Sequence, residues 1–242
     1  MIIQAKPHQD KLLHGIFTAV PRRYDLINRI ITLGLDRRWR LKAARECLIL
    51  HPEKLLDLCC GTGDLAIELT HLLDEDVELI GVDYSLPMLE IAVKKAGCSV
   101  RGGMVSFIYG DVANLPFPDG YFDCVGISFA FRNLTYKNSL SQCYLAEVVR
   151  VLKPGGRFVI VETSQPKTKL VRQFFHLYLH WFVFRLGSLL SGNRRAYNYL
   201  AKSAARFYTP AELGELLITA GFRQVSFRRL LFGVTAIHVA IK

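Results

Sequence analysis

Residues Leu55–Ala66 read LLDLCCGTGDLA. An apolar run ends at Asp57-Leu58, meets the glycine pair Gly61 and Gly63, and gives way at once to a helix-forming segment. A strand, a tight glycine turn and a helix N-terminus make a cradle for a nucleotide-like ligand, because small residues let the backbone approach it closely. A second strand-like run, Val77–Val82, ends in Asp83. A carboxylate about 20 residues beyond such a turn is placed to accept hydrogen bonds from both ribose hydroxyls.

Outward from that turn, strands and helices alternate. Strands are expected at Leu55–Leu58, Val77–Val82, Met104–Tyr109, Phe122–Phe129, Phe158–Val161, Gln224–Leu231 and Thr235–Ile241. The helix after the glycine turn puts Leu65, Leu69 and Leu72 on one face. The next opens with Ser85 as N-cap and Pro87 in its first turn. Lys153-Pro154-Gly155-Gly156 reads as a turn, and Thr209-Pro210-Ala211-Glu212 as a capping box. This alternation implies an α/β fold with a mostly parallel sheet covered on both faces. Residues 1–50 are helix-like and are expected to cap a single domain over 51–242.

Composition narrows the classes. The chain has 242 residues, 51% hydrophobic and 21% charged, which excludes disorder. Its six cysteines form no CxxC pair and none has histidine at zinc-finger spacing, so they read as reduced thiols of a cytoplasmic protein with no metal site. The N-terminus lacks the pattern of a secretory signal. The net charge of +10, with basic pairs at Arg22-Arg23, Arg37-Arg38, Arg194-Arg195 and Arg228-Arg229, suits an anionic membrane surface or a nucleic acid. Leu170–Leu190 is the most apolar stretch but carries Arg172, Gln173, His176, His180 and Arg185. An arginine near a bilayer centre costs about 2.5–3.5 kcal/mol, which favours a buried or membrane-facing helix over a spanning one.

Several acids fall at successive strand ends. Asp57 precedes the glycine turn, Asp64 follows it, Asp83 ends the second strand and Gly110-Asp111 follows the third. In a parallel sheet these ends lie along one edge, where ligands bind. Asp111 is suited to an adenine amino group, with the Val112 backbone beside the ring.

LDLCCGTGDLA, GVDYSLPMLEIA, GDVANLPFPDGYFD, ISFAFRNLT and EVVRVLKPGGRFVIVETSQP resemble the motifs of the UbiE-type ubiquinone/menaquinone biosynthesis C-methyltransferases. So do YDLINRIITLGLDRRWR, GSLLSGNRRAYNYLAKS and LLFGVTAIHVAIK, and the likeness runs from about Phe17 to Lys242. It implies a class I, Rossmann-like methyltransferase fold with a seven-stranded sheet, S-adenosyl-L-methionine (SAM) as cofactor, and a reduced prenylated benzoquinol or naphthoquinol as acceptor. The expected cofactor set is Asp57, Gly61, Thr62, Gly63, Asp83, Tyr84, Met88, Asp111, Val112 and Ser128. Asp57 is read as organising the glycine loop or holding the methionine amino group. The chain departs from the usual family residues at Asp36, Tyr136, Thr163 and Val183–Phe184, which bear on the quinone pocket rather than the cofactor site.

Methyl transfer to carbon is an in-line displacement, and positioning two reactants can supply about 7–11 kcal/mol of its barrier. Arg132 and Asn133, just beyond the fourth strand, are the expected catalytic pair: Arg132 to stabilise the acceptor phenolate or orient a water, Asn133 to fix its geometry. Tyr178 joins them. Tyr24, His176, His180, Tyr197 and Glu162 are further pocket candidates. A greasy acceptor implies peripheral association with an anionic membrane, on its cytoplasmic face; a homodimer is left open. No nucleic-acid partner is expected, since Ser128-Phe129-Ala130-Phe131 stands where base-amino methyltransferases carry Asn/Asp-Pro-Pro-aromatic, and no Pro-Cys pair exists. Methylation of another phenol or lipid, and SAM binding without catalysis, are the competing readings.

Overall fold

A computed structural model describes residues 21–74, 76–99 and 105–242, with side chains from residue 25 onward. Seven strands form one sheet in the order β3-β2-β1-β4-β5-β7-β6. They are β1 Lys54–Leu58, β2 Glu78–Asp83, β3 Val105–Tyr109, β4 Phe122–Ser128, β5 Leu152–Thr163, β6 Gln224–Leu230 and β7 Thr235–Ile241. Strands β1 to β5 are parallel, and β7 enters antiparallel between β5 and β6. The reversal in order at β1 and β4 opens a crevice at their carboxyl ends, the point where ligands enter open α/β sheets.

Ten α-helices are described: α1 Pro21–Ile31, α2 Leu35–Cys47, α3 Asp64–Thr70, α4 Leu86–Gly97, α5 Phe131–Thr135, α6 Ser141–Val151, α7 Lys169–Tyr178, α8 Phe184–Ser191, α9 Arg194–Ala205 and α10 Pro210–Thr219. A π-helical turn, Leu179–Val183, joins α7 to α8 without a break. Alternate residues of each strand feed opposite layers. Leu56, Leu58, Val125, Ile127, Phe158 and Ile160 meet α6 and α10 on one face. Leu55, Leu79, Cys124, Val159 and Ile237 meet α2 and α3 on the other. Ile27, Ile31, Phe175, Leu179, Val183, Ala196 and Tyr197 build a third cluster that roofs the crevice.

Strand expectations hold with small changes of boundary. Met104 lies outside the described residues. The fourth strand stops at Ser128, one residue short, because Phe129 takes a positive φ of 56°. The Lys153–Gly156 turn is drawn into an early start of β5, where the β4–β5 register slips between Phe122 and Cys124. Ser85 occupies the N-cap of α4, yet its hydroxyl makes no capping bond. The capping box at Thr209 is complete in both directions.

Candidate active site

The glycine turn is held from both sides. Gly61 N donates to Asp83 Oδ2 at 2.9 Å, and Ser85 N donates to Asp83 Oδ1 at 2.8 Å. The Asp83 carboxylate thus ties the turn to the start of α4 and keeps acceptor capacity for a ligand. Burial lifts its pKa to about 6 against the pull of these backbone donors. Asp57 lies deeper: Ala66 N, in the first turn of α3, donates to its Oδ2 at 2.9 Å. Burial, helped by the nearby Asp83 and Asp64 charges, pushes Asp57 up to about 8. Gly63 sits beneath the turn with φ 78°; a β-carbon there would meet Ala92 at 3.0 Å and the Phe107 ring at 3.1 Å. That glycine sets the turn's closeness to the sheet rather than touching the cavity.

Above the turn lies a cavity of about 520 Å³. Asp57, Gly61, Thr62, Asp83, Tyr84, Met88, Asp111, Val112 and Ser128 line one end, so the expected cofactor residues other than Gly63 share one wall. Asp111 caps a short helical turn by accepting from Ala113 N at 2.9 Å. The arrangement fits a nucleoside: a narrow small-residue turn, a carboxylate at the second strand end and another at the third.

Thr62 has a second task. Its hydroxyl donates to Asp25 Oδ1 on α1, and Lys95 Nζ donates to Asp25 Oδ2 at 2.9 Å and also pairs with Asp64. Arg40, 8% exposed, bonds Asp36 Oδ2 at 2.7 Å, lies 3.3 Å from Asp64 Oδ2 and packs over the Phe129 ring. The Asp36 carboxyl is held below its usual range by Thr32 and Arg40, which outweigh its burial. Asp36, Trp39, Arg40, Phe129, Tyr144 and Tyr199 all line the cavity; of these, sequence reasoning tied only Asp36 to the pocket. Asp36 and Arg40 stand at the i,i+4 spacing of a helical ion pair, but nothing in that spacing tells that the pair faces a cavity.

Arg132 and Asn133 lie beside the cofactor end, as expected from their position after β4. Arg132 Nη1 donates to Glu162 Oε1 at 2.9 Å and to Thr163 Oγ1 at 2.7 Å, and its backbone N donates to Glu162 Oε2 at 3.1 Å. This ion pair is buried, at 4% and 1% side-chain exposure. Arg132 Nε is buried with no partner among the described residues. Glu162 stands behind the cavity wall rather than in it. Asn133 Oδ1 faces the Tyr199 hydroxyl at 3.5 Å.

Tyr178 lines the cavity, but its hydroxyl donates to the Ile31 carbonyl at the end of α1, and burial pushes its pKa to about 12. It holds its proton at neutral pH and acts as a tether between α7 and α1. Tyr197 is buried in the wall against Gly187. His176 bonds the Gln165 side chain at 2.9 Å, and Gln165 bonds the Ala204 carbonyl at 2.7 Å, a structural chain outside the cavity. His180 is exposed and stacks with Phe184. The Tyr24 side chain lies outside the described part.

The far end of the cavity is apolar. Ile31, Leu33, Val171, Phe174, Leu179 and Leu231 are among its lining residues. Leu33, Phe174 and Leu231 are also exposed, at 77%, 64% and 45%, and so mark a mouth. No helix among the described residues is long and apolar enough to cross a membrane, and no group of three or more candidate metal ligands occurs among them.

The model of the ubiE/COQ5 methyltransferase family matches residues 5–242. A demethylmenaquinone methyltransferase of Deinococcus radiodurans is 40% identical over 98% of this chain and 95% of its own. Its Thermus thermophilus counterpart is 42% identical over 93% and 98%. A ubiquinone/menaquinone biosynthesis C-methyltransferase UbiE of Francisella tularensis is 32% identical over 97% and 92%. Among solved structures, a SAM-dependent methyltransferase of Thermotoga maritima shares the fold at TM-score 0.57 and 21% identity, over 91% of this chain and 98% of that one.

Proposed function

The chain belongs to the ubiE/COQ5 methyltransferase family, and on that premise we propose that its acceptor is a reduced, prenylated demethylnaphthoquinol, methylated on a ring carbon. The reaction class is SAM-dependent C-methylation of a quinone precursor. The relatives that favour the naphthoquinol are named demethylmenaquinone methyltransferases and reach 42% identity, against 32% for those named for both quinones. The benzoquinol step of ubiquinone synthesis is the second reading.

When bound, SAM supplies a methyl group on a cationic sulfur. The protein's own contribution is placement and charge. Asp83 and Asp111 hold the nucleoside, and Asp57 fixes the first turn of α3 beneath it. Arg132, buried next to this end, supplies N–H donors for the acceptor's ring oxygen and stabilises the phenolate that makes the ring carbon nucleophilic. Arginine does not serve as the base, since it keeps its proton in proteins. Asn133, with Tyr199, confines the ring on the other side.

The single observation that carries the reading is the continuity of one cavity from the carboxylates at the strand ends, past Arg132, to an apolar mouth. A nucleoside, an aromatic ring and a prenyl tail require these three environments in this order. Beside the mouth, Leu170, Phe174, Leu177 and Trp181 are 60%, 64%, 53% and 52% exposed along one side of α7 and the π turn. Lys167 and Lys169 are exposed next to them. This ridge supports docking on the anionic cytoplasmic face of a membrane, where each nearby basic residue adds about 1 kcal/mol, with the tail passing from lipid through the mouth.

The test is to incubate the pure protein with methyl-labelled SAM and each reduced short-tailed demethylquinone, then locate the label by mass spectrometry. Ring-carbon label on the naphthoquinol at the higher kcat/KM is expected. Label on oxygen, or none on either quinol, removes the reading.

A further inference from the structure

Thr163 ends β5 in the cavity wall, next to the buried Arg132–Glu162 pair. Its hydroxyl stands between the two charges: Oγ1 accepts from Arg132 Nη1 at 2.7 Å and donates to Glu162 Oε1 at 2.8 Å. Glu162 also accepts from the Thr163 backbone N at 2.7 Å and from Arg132 through both Nη1 and the backbone N. Three of these donors meet Oε1 and one meets Oε2, and Glu162 stands outside the cavity lining, away from the acceptor. Glu162 is an anchor.

The arginine is different. Its Nη1 donates to both Glu162 and Thr163, while Nε is buried without a partner among the described residues. Two anchors on Nη1, one charged and one neutral, define the guanidinium plane; one anchor alone would let it swivel about the Nη1–Oε1 line.

We propose that Thr163 is a positioning residue for methyl transfer: its hydroxyl locks the Arg132 guanidinium in the orientation from which it meets the ring oxygen of the acceptor. This rests on the reading of the acceptor as a phenol. Thr163 itself touches no reacting atom. It acts through Arg132, and it does so with an oxygen, so that serine can replace it and valine, of nearly the same shape, cannot.

The experiment compares Thr163→Val and Thr163→Ser with the parent protein in two assays. The first measures kcat and KM for reduced short-tailed demethylmenaquinone, with SAM affinity and Tm alongside. Thr163→Val should lower kcat about tenfold, the size of one hydrogen bond to a charged group, with acceptor KM, SAM affinity and Tm near the parent's. Thr163→Ser should restore kcat. The second follows the colour of a nitrophenol bound beside S-adenosylhomocysteine. The parent and the serine variant should hold it ionised at lower pH than the valine variant does. An unchanged kcat in Thr163→Val, an equal loss in both variants, or a loss traced to SAM affinity or Tm overturns the proposal. If the parent fails to methylate the quinol, the acceptor reading falls; the nitrophenol series then decides on Thr163 alone, and three equal ionisation curves overturn it.

Discussion

The Thr62 hydroxyl and the Asp25 carboxylate meet at 2.7 Å, and this contact fastens α1 to the glycine turn. Lys95 closes the same knot from α4. Part-exposed pairs of this kind contribute about 1 kcal/mol or less to stability, so their value lies in where they hold α1. Asp25→Ala should weaken SAM binding about three- to tenfold, the range of one lost hydrogen bond, while Tm barely moves. Calorimetric titration with SAM checks this, and an unchanged Kd would mean that the turn keeps its shape without α1.

The Arg132–Glu162 pair should show the asymmetry of buried charges. Glu162→Ala strands a guanidinium in the core and should cost about 3–5 kcal/mol. The double replacement Arg132→Met with Glu162→Leu removes both charges and should regain most of that loss in urea unfolding. It should nonetheless be inactive. Activity in the double variant would show that Arg132 has no part in the chemistry.

Asp57 makes stability depend on pH. Its carboxyl titrates near 3.8 when unfolded and near 8 in the fold. Between those values the folded chain keeps a proton that the unfolded chain has lost. Its contribution is therefore complete below about pH 4 and declines as pH rises toward about 8. Asp83, raised to about 6, adds to the lower part of that decline. Asp57→Asn should flatten the fall of Tm with rising pH, seen by scanning calorimetry across that window; parallel curves for the two proteins would contradict the assignment.

Two glycines should respond oppositely to alanine. A β-carbon at Gly187 would overlap the Tyr197 ring, so Gly187→Ala should cost about 1–3 kcal/mol through overpacking. Gly97 ends α4 with open space around it, so Gly97→Ala should be neutral or stabilising by up to about 1 kcal/mol. Thermal melts of both variants suffice. Similar shifts in the two would mean that the α8–α9 contact is looser than described.

The chain has two tryptophans. Trp39 is buried in the cavity wall and Trp181 is half exposed on the apolar ridge under the Arg185 guanidinium. Vesicles with anionic lipid should therefore shift Trp181 emission to the blue, and Trp181→Phe should abolish the shift. Phe174→Glu should weaken vesicle flotation with no loss of SAM binding. Equal emission with and without vesicles would remove the membrane reading.

The sheet was legible because its signals are local. Buried parallel strands announce themselves as apolar runs, and Gly61, Gly63, Asp83 and Asp111 mark the strand ends where a ligand must lie. The wall of the cavity at the strand ends followed from those positions. The acceptor wall did not, because it is assembled from α1, α2, α7 and α9, whose relative placement depends on side-chain packing far apart in the chain. Tyr178 illustrates the limit: a tyrosine in an apolar helix reads as a pocket residue, and only the Ile31 carbonyl at its hydroxyl reveals a tether. Arg40 illustrates it from the other side, as one basic residue in a basic run that turns out to be buried between two carboxylates.

The wide turn at Leu179–Val183 carries one residue more than regular winding requires. Five residues of this wide winding turn the chain about as far as four of regular winding, so losing one of the five would straighten the rod and still leave Gly187 against the Tyr197 ring. Losing a residue from the first turn of α8 would instead rotate position 187 by about 100°. Length variation at the wide turn should therefore leave position 187 a glycine, and length variation just after it should not.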